Sequence, residues 1–277
     1  MIPFDFEYYR PDTVQEALTV FRQLDAENKN PMYYGGGSEI ISMARLGNIT
    51  AGAVIDLKAI PECNALEFAG DRLLLGSALT LSSISESRQF PLLGQTAGRI
   101  ADHTMQCKIT LGGNLASTII YRETVLPLFL TNAAITIASG DSLKELKIDQ
   151  VFHHGLNLSR GDFLVRAAVE KCWLSVPYIH VKKTKNEKVD YPLLTVAALK
   201  ADGKIRCAVS GLYDYPFRDA KCEEIINNHT LSITERGEKA ADILRPGMLN
   251  NSDSSSSFRK YVFQNTLINT LETLEGV

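Results

Sequence analysis

The sequence predicts an α+β protein of three lobes, two α/β units followed by one built on an antiparallel sheet with helices. Three observations carry this. Residues 31–57 read as strand, glycine loop, helix and strand, the pattern of a small α/β unit. Residues 66–139 mix strands and helices around a second glycine pair. From residue 165 onward, successive segments alternate apolar and polar side chains before the chain turns helical, as an antiparallel sheet does. With 277 residues the chain is longer than one small domain, and the expected lobes are 1–57, 58–166 and 167–277.

Within the first lobe, Asp12 or Thr13 is the N-cap of a helix that places Val14, Ala17, Leu18, Phe21 and Leu24 on one face. Asn28-Lys29-Asn30-Pro31 ends that pattern. Met32-Tyr33-Tyr34 then runs into Gly35-Gly36-Gly37-Ser38-Glu39, a helix around residues 40–46 and a buried strand at 53–57. In the second lobe, residues 66–68 and 73–78 form a strand pair around an Asp-containing turn. Helices are expected at 81–86, 92–100 and 123–133, the last with Pro127 in its first turns, and a strand at 134–139. In the third, strands are expected at 165–174, 178–182, 194–199 and 205–212, with turns at 185–187 and 202–203. Helices follow at 221–227, 233–243 and 258–271, and the polar run 250–257 reads as a mobile loop.

Composition narrows the function classes. A net charge of -3 supplies no Lys/Arg excess for a nucleic-acid footprint, yet leaves room for one dinucleotide held by backbone N–H groups. Cys63, Cys107, Cys172, Cys207 and Cys222 lie far apart, so no iron–sulfur or zinc ligand spacing exists. Scattered thiols, no basic leader and no apolar run of bilayer length give the expectation of a cytoplasmic protein without a membrane span. His153-His154 reads as a solvated pair rather than a metal site, Trp173 as core, and Lys182-Lys183-Thr184-Lys185 as a solvated strand end. No catalytic nucleophile–base set can be assembled from spacing.

The two glycine loops are the informative feature. Glycine lets the main chain approach a ligand and present consecutive N–H groups, and Ser38 or Thr110 adds a hydroxyl donor. Neither loop is a Gly-x-Gly-x-x-Gly or Walker loop, so a Rossmann or P-loop nucleotide site has no support. Four strings occur in order: Tyr34-Gly35-Gly36-Gly37-Ser38-Glu39-Ile40, Ile55-Asp56-Leu57-Lys58-Ala59-Ile60-Pro61-Glu62, Leu75-Gly76-Ser77-Ala78-Leu79-Thr80 and Thr110-Leu111-Gly112-Gly113-Asn114-Leu115-Ala116. This ordered set resembles the FAD-binding subunits of molybdenum hydroxylases, the flavin subunit of xanthine dehydrogenase and the medium subunit of carbon monoxide dehydrogenase among them. The likeness runs from Tyr9-Arg10-Pro11 to Phe258-Arg259-Lys260-Tyr261.

The resemblance implies a vanillyl-alcohol-oxidase-type FAD-binding fold, with FAD between the first two lobes and the third covering the flavin. It implies that Gly36, Gly37 and Ser38 sit on one side of the pyrophosphate and Thr110, Gly112, Gly113 and Asn114 on the other. Tyr34, Gly35, Glu39 and Leu111 complete the two loops, Glu123 takes the place of a ribose-binding Asp, and Asp190 and Tyr191 approach the isoalloxazine. The family's Asn-Ala-Ser-Pro-x-x-Asp-Leu stretch is replaced here by Ser117-Thr118-Ile119-Ile120-Tyr121-Arg122-Glu123-Thr124. With no His at 35–38, FAD is expected to be non-covalent. Molybdopterin and 2Fe–2S clusters are expected only in partner subunits, an iron–sulfur chain and a molybdopterin-binding chain, with NAD or another acceptor taking the electrons. No side chain here then acts as a general acid or base, and no metal is held. The alternatives are a stand-alone FAD oxidoreductase of the same fold and a non-enzymatic subunit whose flavin site has decayed.

Overall fold

The structure, a computed structural model, describes residues 2–185, 187, 189–251 and 254–276. β1 (Glu7–Tyr9), β2 (Pro31–Tyr34) and β3 (Ala53–Asp56) form a parallel sheet in the order β1-β3-β2. α1 (Val14–Ala26) connects β1 to β2 and α2 (Ser38–Arg45) connects β2 to β3. Thr13 is the N-cap of α1, its hydroxyl accepting from the Glu16 N–H, and the helix buries the five apolar residues that its spacing aligns.

The second sheet has the order β4-β5-β8-β6-β7 and is antiparallel throughout. Its strands are β4 (Leu66–Ala69), β5 (Arg72–Gly76), β6 (Ala134–Ser139), β7 (Ser142–Lys147) and β8 (Phe163–Glu170). Between β5 and β6 the chain makes α3 (Leu81–Ser87), α4 (Pro91–Ala97), α5 (His103–Gln106), α6 (Leu111–Ala116) and α7 (Val125–Leu130), and α8 (Ile148–Val151) follows β7. β8 corrects the sequence expectation. The segment expected to open the third sheet lies in the middle of the second, paired with β5 and β6, and a boundary at 166/167 falls inside it. Residues on both of its faces are buried, so the alternation read from residue 165 onward does not mark a solvated face here. Its far end is a 3₁₀ turn, Lys171–Trp173.

The third sheet, β12-β11-β10-β9, comprises β9 (Tyr178–Thr184), β10 (Pro192–Ala201), β11 (Lys204–Ser210) and β12 (Phe217–Arg218). α9 (Ala220–Ile226), α10 (Ile233–Asp242) and α11 (Ser256–Glu275) complete that lobe. β10 is buried on both faces. Leu194, Val196 and Ala198 join Phe263, Leu267 and Leu271 of α11 in one core, while Ala197 and Leu199 join Val125, Leu126 and Leu128 of α7 in another. Of the expected turn at 185–187, residue 186 lies outside the described residues. The polar run at 250–257 is less loop-like than expected. Its residues 252 and 253 lie outside the described residues, but Ser255 is the N-cap of α11, and Ser256 and Ser257 begin the helix.

Arg259 in the first turn of α11 is fully buried. It donates to the carbonyls of Leu193 and Gly211, at the latter over 2.9 Å, and to Asn251 Oδ1 over 3.0 Å. The helix is thereby tied to β10 and to the residue that follows β11. Replacing it by Met removes those donors from buried carbonyls while keeping most of the volume. The loss expected in urea unfolding is on the order of 3 kcal/mol; a loss under about 1 kcal/mol would show that Arg259 is only filler.

Candidate functional site

The first glycine loop leaves the C-terminal ends of parallel strands, where open α/β sheets place ligands. β2 ends at Tyr34, level with Asp56 of β3, and Gly35, Gly36 and Gly37 lead into α2. Gly37 takes φ +71° as the N-cap, and a Cβ there would lie 2.3 Å from the Tyr34 ring. The first N–H groups of α2 have no partner within the helix, so its start favours an anion. The Ser38 hydroxyl, in the first turn, is buried with no hydrogen-bond partner. A buried unmade hydroxyl is costly unless a ligand meets it.

Lys58, which carries no local signal in the sequence, stands beside this loop. Its ammonium donates to Gly35 O at 2.9 Å and Asp56 Oδ2 at 2.7 Å, and lies 4.4 Å from the Tyr34 ring centroid. Asp56 is buried and also accepts from the Lys58 N–H and from Tyr8 Oη. Burial alone would raise its pKa, but the hydrogen bonds from Lys58 and Tyr8 outweigh burial and hold it below the usual range. The same bond to Asp56 pushes the Tyr8 phenol up to about 12.

The second loop sits against the first. A Cβ on Gly35 would lie 2.7 Å from Thr110 Oγ1, and one on Gly36 only 1.6 Å from Lys108 O. The two loops are thus brought together by the absence of side chains. The second loop differs from expectation in its donors. The N–H groups of Leu111, Gly112, Gly113 and Asn114 go to Leu79 O, Ser77 O, Thr110 Oγ1 and Thr110 O at 2.8–3.1 Å. Thr110 acts as the N-cap of α6. Leu111 is wholly buried, and Asn114 Oδ1 accepts from Thr124 Oγ1 at 2.6 Å. This loop offers a close backbone surface and the proton of the Thr110 hydroxyl rather than a row of N–H groups. A Cβ on Gly113 would crowd one atom only, Thr110 Oγ1 at 2.9 Å, so the absence of a side chain there leaves the Thr110 hydroxyl in place.

Other predicted site residues are engaged within the protein. Glu39 crosses from the first lobe to the second, accepting from the Thr118 N–H at 2.8 Å. Glu123 is turned into the protein interior. It is buried, accepting from Lys182 Nζ at 3.2 Å and Thr195 Oγ1 at 2.7 Å. Burial raises its pKa against the pull of Lys182 and Thr195. Lys182 is correspondingly not a solvated strand end, with its side chain 6% exposed. Lys182 and Thr195 are cross-strand partners in β9 and β10, so one carboxylate grips both strands of the hairpin that carries Asp190 and Tyr191. Tyr191 is exposed, stacked on Tyr121 with centroids 5.3 Å apart, and Asp190 Oδ1 accepts from the Tyr191 N–H. Arg122 turns inward too, donating to Ser117 O and His154 O. His154 stacks on Tyr215 at 3.8 Å, and among the described residues no group of His, Cys, Asp or Glu is placed to hold a metal.

Beside Lys182, the Arg99 guanidinium donates to His180 Nδ1 at 3.1 Å and His180 O at 2.8 Å. Burial, then the charges of Arg99 and Lys182, push the His180 pKa down to about 3. Spacing gave no sign of this network, because its members lie on different elements.

Residues 4–169 match the protein family described as "FAD binding domain in molybdopterin dehydrogenase". The glyceraldehyde dehydrogenase medium chain of Sulfolobus acidocaldarius is 26% identical over 241 residues, covering 81% of this chain and 82% of that one. The carbon monoxide dehydrogenase medium chain of Hydrogenophaga pseudoflava is 31% identical over 120 residues, 42% of this chain and 41% of the relative. A solved carbon monoxide dehydrogenase from the same organism superposes with a TM-score of 0.87 at 19% identity, covering 100% of this chain and 99% of that one. A quinoline 2-oxidoreductase from Pseudomonas putida gives 0.83 at 18% identity, over 99% of each chain.

Two outcomes test the buried network. Glu123→Gln leaves the Lys182 ammonium uncompensated and should cost about 3–5 kcal/mol in urea unfolding, while the paired change Glu123→Leu with Lys182→Met should cost markedly less. His180 has a folded pKa below its unfolded value near 6.5, so the folded state binds fewer protons in that window. The stability it contributes is complete above about pH 6.5 and falls by about 1.4 kcal/mol per pH unit below it. Relative to His180→Gln, the parent should therefore lose about 2 kcal/mol between pH 6.5 and 5. Parallel stability curves for the two proteins would show that His180 is not held neutral.

Proposed function

This chain belongs to the family of FAD binding domains of molybdopterin dehydrogenases, as an FAD-binding subunit of the molybdenum-hydroxylase kind, and from that premise we propose that it relays electrons within a hetero-oligomer. In this proposal an iron–sulfur subunit delivers electrons, a molybdopterin-binding subunit carries out the hydroxylation, and NAD or another acceptor takes the electrons up. The observation that carries the proposal is the contact of the two glycine loops beside the unpartnered Ser38 hydroxyl.

Bound there, FAD supplies one- and two-electron redox chemistry. The chain's own part is to bind and orient it. Gly36, Gly37, Ser38 and the start of α2 receive the pyrophosphate, with Thr110, Gly112 and Gly113 closing on it from the second lobe. Asn114 supports that loop through Thr124. Asp190 and Tyr191, just before β10 in the β9–β10 hairpin, cover the ring. With a ribose role for Glu123 set aside, it holds that hairpin in place. No residue of this chain transfers a proton in this scheme, and attachment is non-covalent.

The substrate belongs to a partner subunit. Relatives are named for glyceraldehyde, carbon monoxide, nicotine, caffeine and nicotinate. Several of these are nitrogen heterocycles, which supports the finer reading of a xanthine-like heterocycle as substrate.

The visible spectrum of the purified chain, with and without added FAD, tests the flavin site beside Gly113→Asp. A side chain at Gly113 crowds only the Thr110 hydroxyl, at 2.9 Å from its Cβ, so the variant should fold after a small shift of that side chain while its carboxylate repels the phosphates. A flavin spectrum kept by the parent and lost by the variant is expected, with FAD affinity reduced at least on the order of 100-fold by an unpaired like charge at the phosphates. A folded parent that takes up no FAD would favour the decayed, non-enzymatic subunit. Isolation of the native complex with a Cys-rich and a molybdopterin-containing chain is the expected result against the stand-alone oxidase.

A further inference from the structure

A run of three glycines has no side chain of its own to hold it in one conformation, and ordering glycine costs more entropy than ordering any other residue. Gly35-Gly36-Gly37 must therefore be locked from outside if it is to meet a ligand already shaped. The surroundings of Lys58 supply such a lock. Its ammonium donates to Gly35 O at 2.9 Å, and a planar trans peptide turns the Gly36 N–H to the opposite side from that carbonyl. The ammonium is itself held by Asp56 Oδ2 at 2.7 Å and by the face of the Tyr34 ring at 4.4 Å. Asp56, 2% exposed, is fixed by Tyr8 Oη and by the Lys58 N–H at 2.9 Å. The Tyr34 ring that carries the ammonium also lies where a Gly37 side chain would be, so Lys58 and Gly37 both meet one ring. Tyr8, Asp56, Lys58 and Tyr34 thus link all three strands of the first sheet to both ends of the glycine run.

We propose that Lys58 is a positioning residue for the dinucleotide site, preorganising the Gly35–Gly36 peptide through its bond to Gly35 O. This rests on the FAD reading of the cleft. Lys58 need not touch the cofactor; it raises affinity by removing the ordering cost from binding.

The test uses the full chain as parent, Lys58→Met, Lys58→Arg and Tyr8→Phe, with FAD titrated by flavin fluorescence. Backbone NMR order parameters at residues 35–37 are measured without ligand. Lys58→Met should weaken FAD binding about tenfold, the effect of one charge-assisted hydrogen bond. Its loop order parameters should fall from about 0.85 to below about 0.6, with the rest of the chain unchanged. Lys58→Arg keeps a donor for Gly35 O and should bind FAD within about threefold of the parent. Tyr8→Phe loosens Asp56 alone and should give a smaller loss in the same direction, which keeps the test open should Lys58→Met not fold. A folded Lys58→Met that binds FAD within about twofold of a binding parent, or whose loop stays rigid, overturns the inference alone. A parent that binds no FAD overturns the flavin reading and this inference with it.

Discussion

Two stretches of main chain can touch only where the side chains between them are missing, and the contact of Gly36 with Lys108 O is the constraint on which the cleft depends. A methyl group at Gly36 would lie 1.6 Å from that oxygen, inside any permitted contact. The first two lobes therefore have one way of meeting, with Gly35 against Thr110. An aromatic seam keeps them there: Tyr33 lies between Phe21 and Phe163, at centroid distances of 4.9 and 4.7 Å, and donates to Gly161 O at 2.9 Å. Their interiors merge at that seam, since Ala138, Phe163 and Val165 of the second sheet lie in the core built around α1 and β3.

The third lobe is joined by other means. β10 presents one face to α11 and the other to α7, so it is interior to two cores at once. Arg206 donates to Leu130 O at 2.8 Å, at the C-terminus of α7, and Arg218 adds a second donor at 2.9 Å to Phe129 O, which also accepts from the Asn132 N–H. Glu123 joins the other end of the same short helix to β9 and β10. The stretch in which this chain departs from its family's pattern is thus committed to holding lobes together.

Much of the fold was legible because local rules were decisive. The spacing of Val14, Ala17, Leu18, Phe21 and Leu24 and the Thr13 cap define α1 without help from the rest of the chain. The two glycine loops stood out because few other residue types tolerate such close approach. Other features were hidden for definite reasons. β7, Ser-Leu-Lys-Glu-Leu-Lys, is an exposed edge strand whose lysines and glutamate disguise it. β8 is buried on both faces and shows no single apolar stripe, and its partners are distant in sequence. Lys182 looked solvated because a run of charges usually is; only the fold brings Glu123 beneath it. Lys58 lay inside a family string yet carried no local signal, since its partners Gly35 and Tyr34 precede it by more than twenty residues.

The late arrival of β8 bears on how the protein is made. β5 and β6, which flank it, are completed by residue 139, yet the strand that joins them spans Phe163–Glu170. Phe163 and Val165 also complete the core of the first lobe. On the ribosome, neither lobe can close until this strand has left the exit tunnel, so two half-sheets with bare edges wait for it while translation proceeds. Until residue 170 has emerged, the nascent chain carries bare strand edges that chaperones bind, and a pause in translation before β8 emerges is more hazardous than one after it.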